Sequence, residues 1–294
     1  MSLLDLVNLS QLMGRSSGRS EIGIALIDGP VLVTHPDLAR ENIRELRSRL
    51  GGSCALAQSR ACVHGTLVAG MLSARRGSVA PAICPDCTLF LRPIFPELTE
   101  TNGAMPSATP HELAEAIIDS VDAGARVLNL SAALAEPSSN GERNLTQALD
   151  YAASREVISV AAAGNQGILG NSAVTRHPSV IPVSACDLDR RPLDGSNLGN
   201  GIGQRGLMAP GVSVTSLGTH GNPQTFSGTS AAAPFVTGTI ALLWSQFPES
   251  TASEIRFAVT QAVATRRRTI VPPLLDAWSA FQVMNSKQFR EVVK

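Results

Sequence analysis

Five short, predominantly apolar runs, each bounded by turn-forming residues, constrain this chain more than any other feature: 22–27, 89–94, 126–130, 157–163 and 180–185. A strand with one wet face alternates apolar and polar residues. These runs do not, and short runs apolar on both faces read as strands buried in a parallel sheet. Helical stretches lie between them. One runs from His64 to Leu72. Thr109-Pro110-His111-Glu112 is a capping box with Pro at the first helical position, opening a helix that ends near Gly124. Residues 144–154 form another. Residues 230–247 form a long apolar helix stopped by Pro248, and Thr251-Ala252-Ser253-Glu254 caps a last one. Residues 3–14 suit a short amphipathic helix. Strands alternating with helices predict βαβ units, hence an α/β fold with a mainly parallel sheet.

The 294 residues contain 44% hydrophobic and 16% charged side chains, enough for a large core and too little charge for a disordered chain. Lys plus Arg equals Asp plus Glu, 24 each, so no basic excess points to nucleic acid or an anionic membrane. Arg75-Arg76 and Arg266-Arg267-Arg268 read as solvated surface. No run approaches the ~20 apolar residues of a membrane span. The first 20 residues lack a basic n-region and a small-residue cleavage site, which predicts a cytoplasmic protein. Cys54, Cys62, Cys84, Cys87 and Cys186 are an odd set, not a full disulfide framework. Cys84-Pro85-Asp86-Cys87 has redox or zinc-knuckle spacing, but no second pair follows, so no metal is expected there.

Four positions stand out chemically. Asp28 ends the first buried run, at the C-terminal strand edge where open α/β sheets keep their sites. His64 lies in Val63-His64-Gly65-Thr66-Leu67-Val68-Ala69-Gly70. Ser230 opens a helix after the turn Ser227-Gly228-Thr229, where the local field favours negative charge on Oγ and on an oxyanion. Asn165 closes Ala161-Ala162-Ala163-Gly164-Asn165, where its amide can donate to the same oxyanion. Singly, each has a plain reading: a turn Asp, a structural His, a helix-capping Ser, a turn Asn.

Together they do not. The order Asp, His, Ser with an Asn donor between the last two is the subtilisin order. Residues 24–28, 64–70 and 228–234 resemble the three signature blocks of the subtilase family of serine peptidases. Residues 161–165, 177–183 and 208–211 resemble further blocks, so the similarity runs from about Glu21 to Gln282. The resemblance implies a subtilisin-like, about seven-stranded, mainly parallel sheet with helices on both faces. It implies a peptidase domain over 21–283, an N-terminal extension over 1–20 and a C-terminal tail over 284–294. It implies Asp28, His64 and Ser230 as triad and Asn165 as oxyanion donor. It also implies that Leu130-Ser131-Ala132-Ala133 pairs with an extended substrate, opposite a wall made by Ala161, Ala162, Ala163 and Gly164. No cofactor is implied, and the calcium sites of secreted relatives cannot be traced here.

Departures from the family pattern carry information. Asp28-Gly29-Pro30 replaces the usual Asp-Ser/Thr-Gly, and Pro30 has no N–H. Ala231 follows the serine where Met is common. Without that sulfur, activity should survive peroxide; rapid loss in a cysteine-free variant would contradict this. Gln166 stands where some relatives carry an acid, so no preference for a basic residue before the cut is indicated. Residues 28–31, 35–36 and 87–95 are similar to the cyanobactin-type proteases, which cut leaders from ribosomal precursor peptides. The expected function is therefore serine endopeptidase action in precursor maturation on a peptide partner. General protein turnover, peptide macrocyclisation and non-enzymatic peptide binding are the alternatives.

Overall fold

The computed structural model describes residues 2–48, 50, 52–98, 107–131, 139–261 and 269–286. Ala132, Ala133, residues 99–106 and the arginines at 266–268 lie outside the described residues. The elements in chain order are α1 Leu3–Leu6, α2 Leu9–Met13, β1 Gly23–Ile27, β2 Ile43–Glu45, α3 Arg60–Ser73, β3 Thr88–Leu91, α4 Pro110–Asp122, β4 Ala125–Leu130, α5 Ser139–Ser154 and β5 Ile158–Ala162. They continue with α6 Ala173–Arg176, β6 Val180–Cys186, α7 Asn200–Arg205, β7 Leu207–Pro210, β8 Val214–Ser216, β9 Gln224–Phe226, α8 Thr229–Gln246, α9 Ala252–Gln261 and α10 Ala277–Asn285.

Seven strands form one parallel sheet in the order β2-β3-β1-β4-β5-β6-β7, and β8-β9 form a small antiparallel hairpin. Every residue of β1 and of β6 is buried, as their predominantly apolar runs require. The strand period divides the core in two. Ile24 and Leu26 face a layer built from α3, α8, α9 and α10. Ala25 and Ile27 face a layer built from α4 and α5. Helices thus cover both faces, which is the expected subtilisin-like α/β arrangement.

Helix α8 lies against the middle of the sheet and is buried on almost every side, so it carries no amphipathic stripe. The Thr109–Glu112 box forms as expected, each partner bonded to the other's backbone. The Thr251–Glu254 box does too. The N-terminal segment is two short helices rather than one, because Asn8 adopts a left-handed conformation between them. Leu9 and Leu12 are fully buried in the larger core, and the Val7 carbonyl accepts from Ala277 N–H. Helix α3 begins at Arg60, capped by Ser59, so His64 stands in its second turn rather than at its start.

Candidate active site

Asp28 directly follows β1, Ser131 follows β4, and Gly164 and Asn165 lie just beyond β5. These strands are neighbours in the sheet, so the three loops leave one C-terminal edge side by side. Helices α3 and α8 bring His64 and Ser230 to that edge.

The Asp28 loop lies directly on α3. A Cβ on Gly29 would come within 2.0 Å of the Ala61 carbonyl oxygen, and one on Gly65 within 2.4 Å of the Gly29 oxygen. Two facing glycines therefore let strand end and helix touch backbone to backbone. This explains why the Ser or Thr usual after the aspartate is replaced: a side chain there has no room. Thr66 adds a tie, its Oγ1 accepting from Leu32 N–H at 2.9 Å.

Across this contact His64 Nδ1 and Asp28 Oδ1 are 2.7 Å apart. The carboxylate can only accept, so Nδ1 carries the proton and the Nε2 lone pair is free. Burial opposes charging of the ring, but the Asp28 charge and the hydrogen bond to it together outweigh burial and raise the His64 pKa above its ordinary value. The ring keeps 17% exposure, enough to be met from the cleft. Phe226 of β9 packs edge-on against it at 6.1 Å between centroids. Asp28 is fully buried. Its Oδ1 also accepts from Gly29 N–H at 2.6 Å, while Oδ2 has no partner among the described residues.

Ser230 is the second residue of α8, where backbone N–H groups have no intrahelical acceptor. Its neighbours are satisfied: Thr229 N–H donates to Asn165 Oδ1 at 2.9 Å and Ala231 N–H to the Gly228 carbonyl at 3.1 Å. Pro234, four residues on, cannot donate to the Ser230 carbonyl. Among the described residues no hydrogen bond joins the Ser230 hydroxyl to the His64 ring; such bonds often tighten only when substrate is bound.

Asn165 is oriented by Thr229. Its Oδ1 accepts from both the N–H and the hydroxyl of Thr229, the latter at 3.1 Å, so Nδ2 is left to donate outward. Gly228, at φ +118°, passes so close that a Cβ would lie 2.9 Å from that Nδ2. Asn197, buried and far away in sequence, clamps the same loop. Its Oδ1 accepts from Gln166 N–H at 3.1 Å and Ile168 N–H at 3.2 Å. Its Nδ2 donates to the Ala163 carbonyl at 3.1 Å and to Gln166 Oε1 at 2.7 Å.

Leu130 and Ala161 are buried partners in register across β4 and β5, and Ser131 N–H donates to the Ile27 carbonyl at 3.3 Å. Ala162 and Gly164 are half-buried and Ala163 is buried; Gly164 N–H donates to Thr229 Oγ1 at 3.1 Å. Of the substrate-pairing segment the structure thus places Leu130 and Ser131, but not Ala132 and Ala133.

Cysteine does not compete as nucleophile. Cys54 and Cys62 form a disulfide that closes the loop before α3. Such a loop closure contributes about 2–3 kcal/mol in the chain-entropy model. Cys84 and Cys87 are buried free thiols. Burial pushes the Cys186 thiol up to about 12. Among the described residues the one cluster with metal-ligand spacing is Cys54, Cys62 and Glu97. Its sulfurs are bonded to each other, and Glu97 already accepts from Ala55 and Leu56 N–H at 2.8 Å each.

A model described as the subtilase family (Peptidase_S8) matches residues 19–274. The chain belongs to the subtilase family. Subtilisin amylosacchariticus of Bacillus subtilis subsp. amylosacchariticus is 31% identical over 242 residues, 81% of this chain and 59% of its own length; this subtilase thus spans about three-fifths of that relative. Two solved structures are also similar. A protease domain of PatA superposes with a TM-score of 0.80 at 29% identity, covering 91% of this chain and 96% of that one. The prenylagaramide maturation protease PagA gives 0.79 at 25%, covering 93% and 98%.

Reading the sequence singled out Asp28, His64, Asn165 and Ser230, and the subtilase fold gathers all four at one sheet edge. It did not find Asn197, Thr229 or Phe226. Thr229 stands beside Ser230 and was the nearest to being legible. Asn197 and Phe226 act across the fold with no local pattern to mark them.

Proposed function

We propose that this subtilase is a serine endopeptidase acting through an acyl-enzyme on Ser230. The observation that carries the reading is the His64–Asp28 bond at 2.7 Å, beside an Asn165 amide already turned outward by Thr229. A peptide laid against the segment that continues β4 presents its carbonyl to Ser230 Oγ. His64 Nε2 takes the hydroxyl proton as Oγ attacks, and Asp28 stabilises the imidazolium. Negative charge moves to the carbonyl oxygen, held by Asn165 Nδ2 and Ser230 N–H. The intermediate collapses as His64 gives its proton to the leaving amine. Water, deprotonated by the same ring, then releases the acyl group.

Removal of a leader from a ribosomally made precursor is the narrower reading. It is supported by the two similar structures, which match this chain over more than nine-tenths of their lengths; one is named as a maturation protease. No metal or other cofactor has a step in this scheme. The partner is a peptide bound as an extended strand.

The test is digestion of a precursor peptide beside casein, read by mass spectrometry with wild type and Ser230→Ala. One dominant cut in the precursor and slow attack on casein supports maturation. Rapid, scattered cutting of casein marks general turnover instead. A product lighter by one water marks macrocyclisation. Binding without cutting by wild type overturns the enzymatic reading.

A further inference from the structure

Ile168 and Leu169 lie just beyond Asn165 and are 54% and 75% exposed. Exposed aliphatic side chains are ordinary when scattered, but an adjacent pair on the loop of the oxyanion donor is not scattered. Their backbone is fixed on both sides. Gly167 N–H donates to the Gly195 carbonyl at 2.8 Å and Gly170 N–H to the Leu198 carbonyl at 2.8 Å. Leu198 N–H donates back to the Ile168 carbonyl at 3.1 Å, and Ile168 N–H is held by Asn197. A loose loop would fold such side chains inward; this one is tied with them outward. Half-buried Leu198 pairs with Leu169, and the Ile270 carbonyl, on a residue 38% exposed, accepts from Gly199 N–H at 3.3 Å.

We propose that Ile168 and Leu169 form a rigid apolar ledge that receives an apolar side chain of the bound peptide close to the scissile bond, making both specificity-determining residues. The occupant follows from continuity: ledge and oxyanion donor share one clamped loop. Ile168 and Leu169 stand three and four residues beyond Asn165, a reach of at most about 14 Å. An extended peptide rises about 3.3 Å per residue. The ledge thus lies within about four substrate residues of the carbonyl that Asn165 would hold. Covering an exposed aliphatic pair with another aliphatic side chain removes apolar surface from water, and a polar side chain gains nothing there.

The proposal rests on the serine-peptidase reading, and its test separates the two. Quenched fluorogenic peptides comparing Leu with Asn at each position, from four residues before the cut to four after, are assayed with wild type and Ile168→Ser/Leu169→Ser. Fluorophosphonate labelling of Ser230 is run on both proteins. At one or two positions Leu should be preferred by about tenfold or more in wild type, the scale of hydrophobic-pocket discrimination. In the variant the preference should fall below about threefold, through a larger loss on the Leu peptides than on the Asn peptides. Normal labelling with an unchanged Leu-to-Asn ratio overturns the ledge alone. An equal loss on every peptide also overturns it, by assigning these residues a structural role. Concentration-dependent self-association abolished by the variant, with the ratio unchanged, gives the ledge to a second copy of the chain and overturns it too. No labelling of either protein sinks the peptidase reading and the ledge with it.

Discussion

His64 shows how one pair of side chains sets a working pH. The ring must be neutral at Nε2 to accept a proton, and the Asp28 charge holds its pKa above the ordinary value of 6.5. The acid limb of kcat/KM against pH should therefore have its midpoint above 6.5 and gain activity as pH rises. Asp28→Asn removes both influences that raise the pKa and leaves the burial that lowers it. Its midpoint should shift to lower pH, with a loss on the order of 10⁴ in kcat as the ring's tautomer is no longer enforced. A midpoint unmoved by the substitution would contradict the assignment. Asn197 offers a second residue-scale test. If it acts by holding the Asn165 loop, Asn197→Ala should lower kcat by about tenfold in wild type. In an Asn165→Ala background, itself down about 10²–10³-fold, it should have little further effect. Additive losses in that double-mutant cycle would mean that Asn197 supports the fold and not the oxyanion donor.

At the scale of elements, the decisive contact is the approach of the β1 end to α3 through Gly29 and Gly65. Gly65→Ala would set a methyl 2.4 Å from the Gly29 oxygen. The two backbones must part, at a cost of about 1–3 kcal/mol. A shift near 1 Å between His64 and Asp28 should lower kcat by about 10²-fold, even though alanine is the better helix former. Thermal unfolding and steady-state kinetics on the same variant check both effects; a more stable, fully active protein would contradict the geometry. The elements differ in how openly the sequence declares them. β1 and β6 were legible because burial on both faces leaves a run that is apolar throughout or, in β6, but for Ser184. β2 was not, since a three-residue edge strand with Arg44 and Glu45 exposed has no such run. The start of α3 was placed four residues late, because Ser59 was not recognised as its cap. The break at Asn8 is one residue's left-handed backbone inside an otherwise helical pattern.

For the molecule as a whole, the sheet does two jobs. Its inner strands build two cores, and their C-terminal ends bring together residues far apart in the chain. Local patterns predicted the strands and helices, but nothing local shows that positions 28, 64, 165 and 230 meet. Their joint match to family blocks made the site legible. Residues outside those blocks, such as Asn197 and the Cys54–Cys62 disulfide, became visible only once the chain was folded. No helix among the described residues is long and apolar enough to cross a membrane. The central claim is that this assembly makes Ser230 an activated nucleophile. Intact mass after treatment with a fluorophosphonate, on wild type and on Ser230→Ala, tests it most directly. A single adduct on the wild type and none on the variant is the predicted result; a wild type that stays unmodified, or a variant that still takes up the probe, would contradict it.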